Sequence, residues 1–216
     1  MPPTPGFAPR LDILPRPQRA LWDELVAVPA EFILYGGTAI ALHLGHRQSV
    51  DFDFFGSQPF EPRSLTTQPF LAGATITQQA PNTLTFIIDR DGPVKLSFFG
   101  VPNIPQLQPP HRCAGNGLRV ASLLDLAGTK ASEVQQRAEA KDYIDIDAIL
   151  TDGRIDLPTA LAAAMAIYQQ HFNPLITLKA LSFFADGDLH RLPAATQDRL
   201  AAATRLVDPA HLPAPR

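Results

Sequence analysis

The apolar positions alternate between helical and strand spacing in a readable order. From Pro15 to Val28 they recur at helical intervals and stop at Pro29, which predicts a first helix; "EFILY", Glu31 to Tyr35, then predicts a strand. Gly36-Gly37 ends that strand, Thr38 is placed to cap the following turn, and Ala39 to Leu44 predict a short apolar helix closing near Gly45. "VDFDFF", Val50 to Phe55, has period two, so it predicts a strand with Asp51 and Asp53 on one face and Phe52 and Phe54 on the other. Beyond a proline-rich connector, Arg63 to Ala72 predicts a helix. "ATITQQA", "TLTFIID" and "VKLSFFG" then predict three antiparallel strands joined by Pro-Asn and Arg-Asp-Gly turns. From Ala121 onward the character is helical. "ASLLDLAGTKASEVQQRAEAKDYIDIDAIL" predicts helix throughout with one glycine, followed by an alanine-rich segment (Leu157 to His171), an apolar stretch (Pro174 to Phe184) and a last helix near Ala194 to Leu206. The expected organisation is an α/β (α+β) domain over residues 1–116, a mixed sheet flanked by helices, and a helical domain over 117–216.

Composition narrows the class. A chain of 216 residues with 45% hydrophobic residues can bury a substantial core, as one large domain or two small ones. It has no apolar run of about 18 residues able to span a bilayer, and Met1 to Arg10 carries prolines where a signal peptide would be hydrophobic, so a cytoplasmic protein without membrane association is expected. The single cysteine, Cys113, cannot form an internal disulfide. A net charge of −3 argues against coating nucleic acid by bulk electrostatics, while leaving room for a local basic cleft. The 22 prolines cluster at the N-terminus, in Gln58 to Pro69, in Val101 to Pro110 and at the C-terminal end, and read as connector punctuation.

The candidate chemistry lies in "YGGTAIALHLGHRQSVDFDFFG", Tyr35 to Gly56. Residues i and i+2 of a strand are about 6.6 Å apart and point the same way. Two ionised carboxylates at that separation repel by roughly 2.5 kcal/mol at an effective dielectric near 20, and a divalent cation reverses the sign. Mg²⁺ takes one or two carboxylates plus substrate phosphate oxygens, so Asp51 and Asp53 suit a metal site. Gly36-Gly37-Thr38 suits the phosphates, because glycine lets them approach the backbone and the helix beginning there presents unpaired N–H groups. Either element alone is more simply a polar sheet face or a plain turn; the two within about twenty residues describe nucleotide handling.

These residues, with a second block, resemble the nucleotidyltransferase-fold toxins of the AbiEii/AbiGii type. The first block is "GGTAIALHLGHRQSVDFDFF" (36–55); the second, "DLAGTKASEVQQRAEAKDYIDI" (125–146), is similar to that family's Lys…Arg-x-x-x-Lys-Asp-x-x-Asp helix. On a continuous helix Arg137, Lys141 and Asp145 would share a face, with Asp142 about 60° away and Lys130 nearly two turns earlier. The bland alternative is a solvated helix with Glu133–Arg137 and Lys141–Asp145 pairs worth a few tenths of a kcal/mol each. The resemblance implies a Mg²⁺-dependent nucleotidyltransferase of a toxin–antitoxin or abortive-infection system, acting on an NTP such as GTP with a tRNA end as acceptor, and possessing a cognate antitoxin. It implies that Gly36, Gly37 and Thr38 hold nucleotide phosphates, that Asp51 and Asp53 bind Mg²⁺, and that Lys130 with Asp142 or Asp145 completes the active site. Arg137 and Lys141 would neutralise the triphosphate, Arg47 and Ser49 would brace the loop or touch phosphate, and the helical half would close the cleft. A salt bridge from Arg47 to a sheet carboxylate is the structural alternative. One departure stands out: many such enzymes draw a third carboxylate from a later strand, where this chain has Lys95 and Ser97. Asp142 or Asp145 then substitutes, or the protein is a catalytically idle module that binds nucleotide or a partner protein.

Other signals carry less. His43 and His46 stand at i, i+3 without a further zinc ligand at suitable spacing, and His111 with Cys113 forms no zinc pattern. "CAGNGLR" lacks the rest of any phosphate-loop pattern and predicts a turn. The alanine-rich helix has room for close packing against a neighbour, whether in this chain or in another subunit.

Overall fold

In the computed structural model, residues 7–215 are described; the prolines of the extreme N-terminus, Pro2, Pro3 and Pro5, lie outside them. The chain divides into two compact units. The first comprises residues up to Pro105 together with Pro109–Ser122, the second Gln106–Gln108 and Leu123 onward.

The described residues of the first unit form a seven-stranded mixed sheet. Its strands are β1 (Phe32–Tyr35), β2 (Asp51–Gly56), β3 (Thr75–Ala80), β4 (Thr83–Asp89), β5 (Pro93–Gly100), β6 (His111–Arg112) and β7 (Arg119–Val120), in the order β3-β4-β5-β2-β1-β7-β6. The expected β3-β4-β5 meander is present and antiparallel, with Asn82 and Asp91 at the turns in the left-handed region that Asn and Asp tolerate. β5 returns parallel to β2, and β7 runs parallel to β1. Period-two alternation puts Phe52 and Phe54 of β2, Leu96 and Phe98 of β5 and Leu34 of β1 on the buried face; Phe54 stacks on Phe98 at 4.9 Å and Trp22 packs against Phe52.

Several local expectations need revision. The first helix is α1 (Arg16–Leu21) continued by a 3₁₀ stretch, Trp22–Ala27, which winds tighter and brings Trp22 and Leu25 into the core. The Arg63–Ala72 segment is α3 (Pro62–Thr66) and a 3₁₀ turn at Pro69–Leu71, because Pro69 interrupts it. The "CAGNGLR" turn is present, but it joins β6 to β7, and β7 extends the first unit to Ser122, past the expected boundary at 116.

The second unit is helical: α4 (Leu123–Glu133), α5 (Ala140–Asp152), α6 (Leu157–Tyr168), α7 (Pro174–Ala180) and α8 (Ala194–Arg205). The expected continuous helix is therefore two helices, broken at Val134–Glu139, although that segment contains neither proline nor glycine. The break is made by tertiary partners. The first N–H of α5, on Ala140, donates to the Asp188 carboxylate at 2.6 Å, a cap supplied from 48 residues away, while Gly187 packs against the Ala138 carbonyl so closely that a side chain there would collide with it. The alanine-rich helix finds its neighbour within the same unit. Gly128 of α4 lies against α6, where a Cβ would stand 2.8 Å from Ile167 Cδ1 and 3.0 Å from backbone atoms of Ala163 and Ala164. The lone glycine is thus the contact point that lets the two helices approach. Asp125, also on α4, accepts from the Leu107 and Gln108 N–H groups at 2.8 and 3.1 Å, which joins that short segment to this unit.

Candidate active site

In the first unit the site grows from the β1–α2–β2 corner, where α2 is Gly36–Leu44 and ends on left-handed Gly45. Gly36 opens the helix at φ +70°, and a Cβ there would meet Asp53 Oδ2 at 3.1 Å. Only glycine lets the helix start turn this sharply against the carboxylate. Gly37 lies beneath the Arg47 guanidinium, which would have to shift to admit a Cβ there, and that Cβ would stand 3.2 Å from Ser49 Oγ. Arg47 also donates to the Gln48 carbonyl at 2.9 Å, so it braces the glycine corner. Thr38 differs from expectation. It makes no side-chain cap; its hydroxyl donates to the Asp51 carbonyl and it is almost wholly buried, so it ties the helix start to the start of β2.

Asp51 and Asp53 occupy alternate, half-buried positions on one face of β2, as the period predicts. The parallel register sets Lys95 beside Asp51 and Ser97 beside Asp53; Lys95 Nζ is 3.3 Å from Asp51 Oδ2, and Ser97 is buried. Among the described residues no three His, Cys, Asp or Glu side chains gather as a metal-holding group. The two carboxylates nevertheless fit Mg²⁺, which accepts one or two protein carboxylates and fills its remaining positions from phosphate and water.

In the second unit the break between α4 and α5 gathers a different cluster. Lys130 is buried, 3% exposed, with its ammonium 2.6 Å from Glu133, 2.8 Å from Asp142 and 3.3 Å from Asp145. Arg137, in the connecting loop, donates from Nε to Asp142 Oδ2 at 2.7 Å and from Nη2 to Asp142 Oδ1 and Glu133 Oε2, both at 3.1 Å. Desolvation alone would lower the Lys130 pKa, but Glu133, Asp145 and Asp142 outweigh it and hold the ammonium above its ordinary value. Burial would likewise raise Asp142; hydrogen bonds and charge from Arg137 and Lys130 prevail and keep it below the usual carboxylate range. Asp142 thus acts as the anchor of two cations. Lys141 does not join them: it is about half exposed and pairs with Glu139 at 2.7 Å, since the helix on which it was to share a face with Arg137 is broken between them. The expected Glu133–Arg137 pair forms, yet it does so across the loop and as part of the Lys130 cluster, which makes Glu133 a member that i,i+4 spacing alone undervalues.

The profile of the nucleotidyl transferase AbiEii toxins of type IV toxin–antitoxin systems matches residues 19–214, a span that includes the glycine corner, the paired aspartates and the Lys130 cluster. The chain belongs to that family. A protein of Aquifex aeolicus (strain VF5), aq_aa25, is 31% identical over 179 residues, covering 81% of this chain and 84% of the relative. Two solved structures share the fold. MenT4, a nucleotidyltransferase toxin of Mycobacterium tuberculosis H37Rv, aligns with a TM-score of 0.58 at 15% identity, over 87% of this chain and 82% of its own. A candidate nucleotidyltransferase of H. pylori aligns at 0.51 and 18% identity, over 88% and 90%. At such identities the likeness is one of fold, and it agrees with the expected nucleotidyltransferase-like mixed sheet flanked by helices. No helix among the described residues is long and apolar enough to cross a membrane. Cys113 is buried, which pushes its thiol pKa up to about 12 and leaves it a poor nucleophile.

Proposed function

We propose that this AbiEii-family chain transfers a nucleotide from an NTP to a hydroxyl acceptor, with Mg²⁺ held by Asp51 and Asp53. The observation that carries the reading is the Gly36 corner packed on Asp53: the N-terminus of a nine-residue helix and two carboxylates of β2 are held together in one unit. Backbone N–H groups at Gly36 and Gly37 bind phosphate oxygens, Arg47 and Ser49 fix the corner, and Thr38 holds it to β2 through the Asp51 carbonyl. When bound, Mg²⁺ would supply charge withdrawal at the phosphates. The acceptor hydroxyl attacks the α-phosphorus, its oxygen gives up its proton to solvent and gains the new P–O bond, the bond to the β-phosphate oxygen breaks, and pyrophosphate leaves with the electron pair. Within the second unit Arg137, about two-fifths exposed, is held by Asp142, which also pairs with the buried Lys130, so its outer N–H groups can meet an anionic group. An antitoxin as partner accords with membership of a toxin–antitoxin family, and a tRNA end as acceptor with GTP as donor is the pairing that the sequence resemblance implies.

A second reading has its own support. Ser97 and Lys95 stand where a third carboxylate would strengthen metal binding, and Lys95 already pairs with Asp51, an arrangement that suits a nucleotide-binding module without turnover. The deciding experiment incubates the protein with α-³²P- or γ-³²P-labelled NTPs, Mg²⁺ and total RNA. Transfer of the α label alone, abolished by Asp51→Asn and Asp53→Asn, is expected. Transfer that survives both substitutions refutes the assignment, and NTP binding without transfer selects the second reading.

A further inference from the structure

The β6–β7 hairpin presents an arrangement that the transferase reading does not use. Leu34 pairs with Val120 and with Phe54, so Val120 lies on the buried face and Arg119, one residue earlier, projects to the other side, the side of Tyr35 and Asp53. Arg112 is directly opposite Arg119 across the hairpin. Like charges facing each other on adjacent strands destabilise a sheet. The Arg119 Nε is moreover buried without a hydrogen-bond partner. An unpaired buried guanidinium N–H costs free energy that a native structure ordinarily recovers from an acceptor. Burial and the charge of Arg112 both lower the Arg119 pKa, and only the charges of exposed Glu31 and of Tyr35 act in the opposite sense. The hairpin itself is firmly held. Cys113 N–H donates to the Leu118 carbonyl, Phe7 N–H to the Arg112 carbonyl, and the Asn116 side chain to the Trp22 carbonyl, so the two arginines are kept face to face by the backbone.

We infer that Arg112 and Arg119 form a phosphate-binding subsite on the sheet face that carries Asp53, taking a phosphate of a nucleic-acid strand or of a nucleotide. A planar guanidinium fork matches phosphate geometry, and a second one doubles the charge. β7 is separated from β2 by β1 alone, which sets Arg119 about 10 Å from the Asp53 strand, roughly the run of three stacked nucleotides. Because the inference does not depend on Asp51 or Asp53, its failure and that of the transferase reading are separable.

The test measures binding of a fluorescein-labelled 12-nucleotide single-stranded RNA in EDTA, and separately of a fluorescent GTP analogue with Mg²⁺, to wild type, Arg112→Gln, Arg119→Gln, Arg119→Lys and the double glutamine variant. Far-UV circular dichroism and melting control for folding, and exposed Arg112→Gln serves if Arg119 variants misfold. An RNA affinity at least tenfold weaker in the double variant, with the logarithmic salt slope reduced by about 1.4 for two lost phosphate contacts, supports the subsite with a polynucleotide source. A comparable loss confined to the GTP analogue supports it with a nucleotide source, and losses in both support a shared one. Changes below twofold for both ligands, or no binding of either by wild type, overturn it.

Discussion

Replacing Lys130 by Met separates a structural role for this side chain from the catalytic one that the family resemblance implies. The ammonium is 3% exposed and stands within 3.3 Å of three carboxylates, two of which, Asp142 and Asp145, are wholly buried. Met preserves most of the volume, so the loss is electrostatic. Arg137 still satisfies both oxygens of Asp142 and keeps its contact with Glu133, whereas Asp145 loses the Lys130 ammonium. Removing one partner of a buried ion pair typically costs about 3–5 kcal/mol, because the remaining charge is no longer fully compensated away from water. For a chain of this size that corresponds to a melting temperature lower by about 6–20 °C. Urea unfolding of Lys130→Met, Asp145→Asn and the double variant gives the coupling directly. The double variant should lose less than the sum of the single losses, since the Lys130–Asp145 attraction that each single substitution removes can be lost only once. Activity assayed well below the variant's melting temperature then reports chemistry alone. A Lys130→Met variant destabilised by less than about 1 kcal/mol, or additive single losses, would refute the claim that this ammonium holds the α4–α5 corner.

Three further outcomes follow from other contacts. Lys95→Met should change stability by less than about 1 kcal/mol, because both partners of its pair with Asp51 are partly exposed, while tightening Mn²⁺ binding by removing a competing cation; weaker Mn²⁺ binding would contradict this. Gly128→Ala should destabilise by about 1–3 kcal/mol in chemical unfolding through overpacking of α4 on α6, and a neutral result would show that the helices separate at no cost. The depressed pKa of Asp142 means that its contribution is present above its unfolded value near 4 and is lost as pH falls through the folded value, so melting temperature should drop below about pH 4 and do so less steeply in Asp142→Asn.

The parts of the fold that local pattern determines were legible. The glycine pair, the alternation of Asp and Phe in β2 and the turn residues of the β3–β5 meander each act through backbone geometry or period, and each appears where expected. The break at Val134–Glu139 was not legible, because every residue there is compatible with a helix and the competing partners, Asp188 and Gly187, are some fifty residues away. The same break carries Arg137 into a loop and onto Asp142, a placement that helical spacing cannot express, and it separates Lys141 from the cluster. Thr38 was misread as a cap for a related reason: its acceptor, the Asp51 carbonyl, belongs to the next strand. Lys95 and Ser97 were correctly placed beside the aspartates by alternation, but the ion pair between Lys95 and Asp51 depends on the parallel register, which one strand alone does not reveal. The two hairpin arginines, Arg112 and Arg119, flank the "CAGNGL" turn, and only their register identifies them as direct opposites.

The central claim, that Asp51 and Asp53 together seat the metal of a nucleotide site, is tested most directly by electron paramagnetic resonance titration of Mn²⁺ with a non-hydrolysable GTP analogue present. Wild type should bind with an affinity that Asp51→Asn and Asp53→Asn each weaken at least tenfold while the far-UV spectrum is unchanged. Equal Mn²⁺ affinity in wild type and both variants would contradict the account.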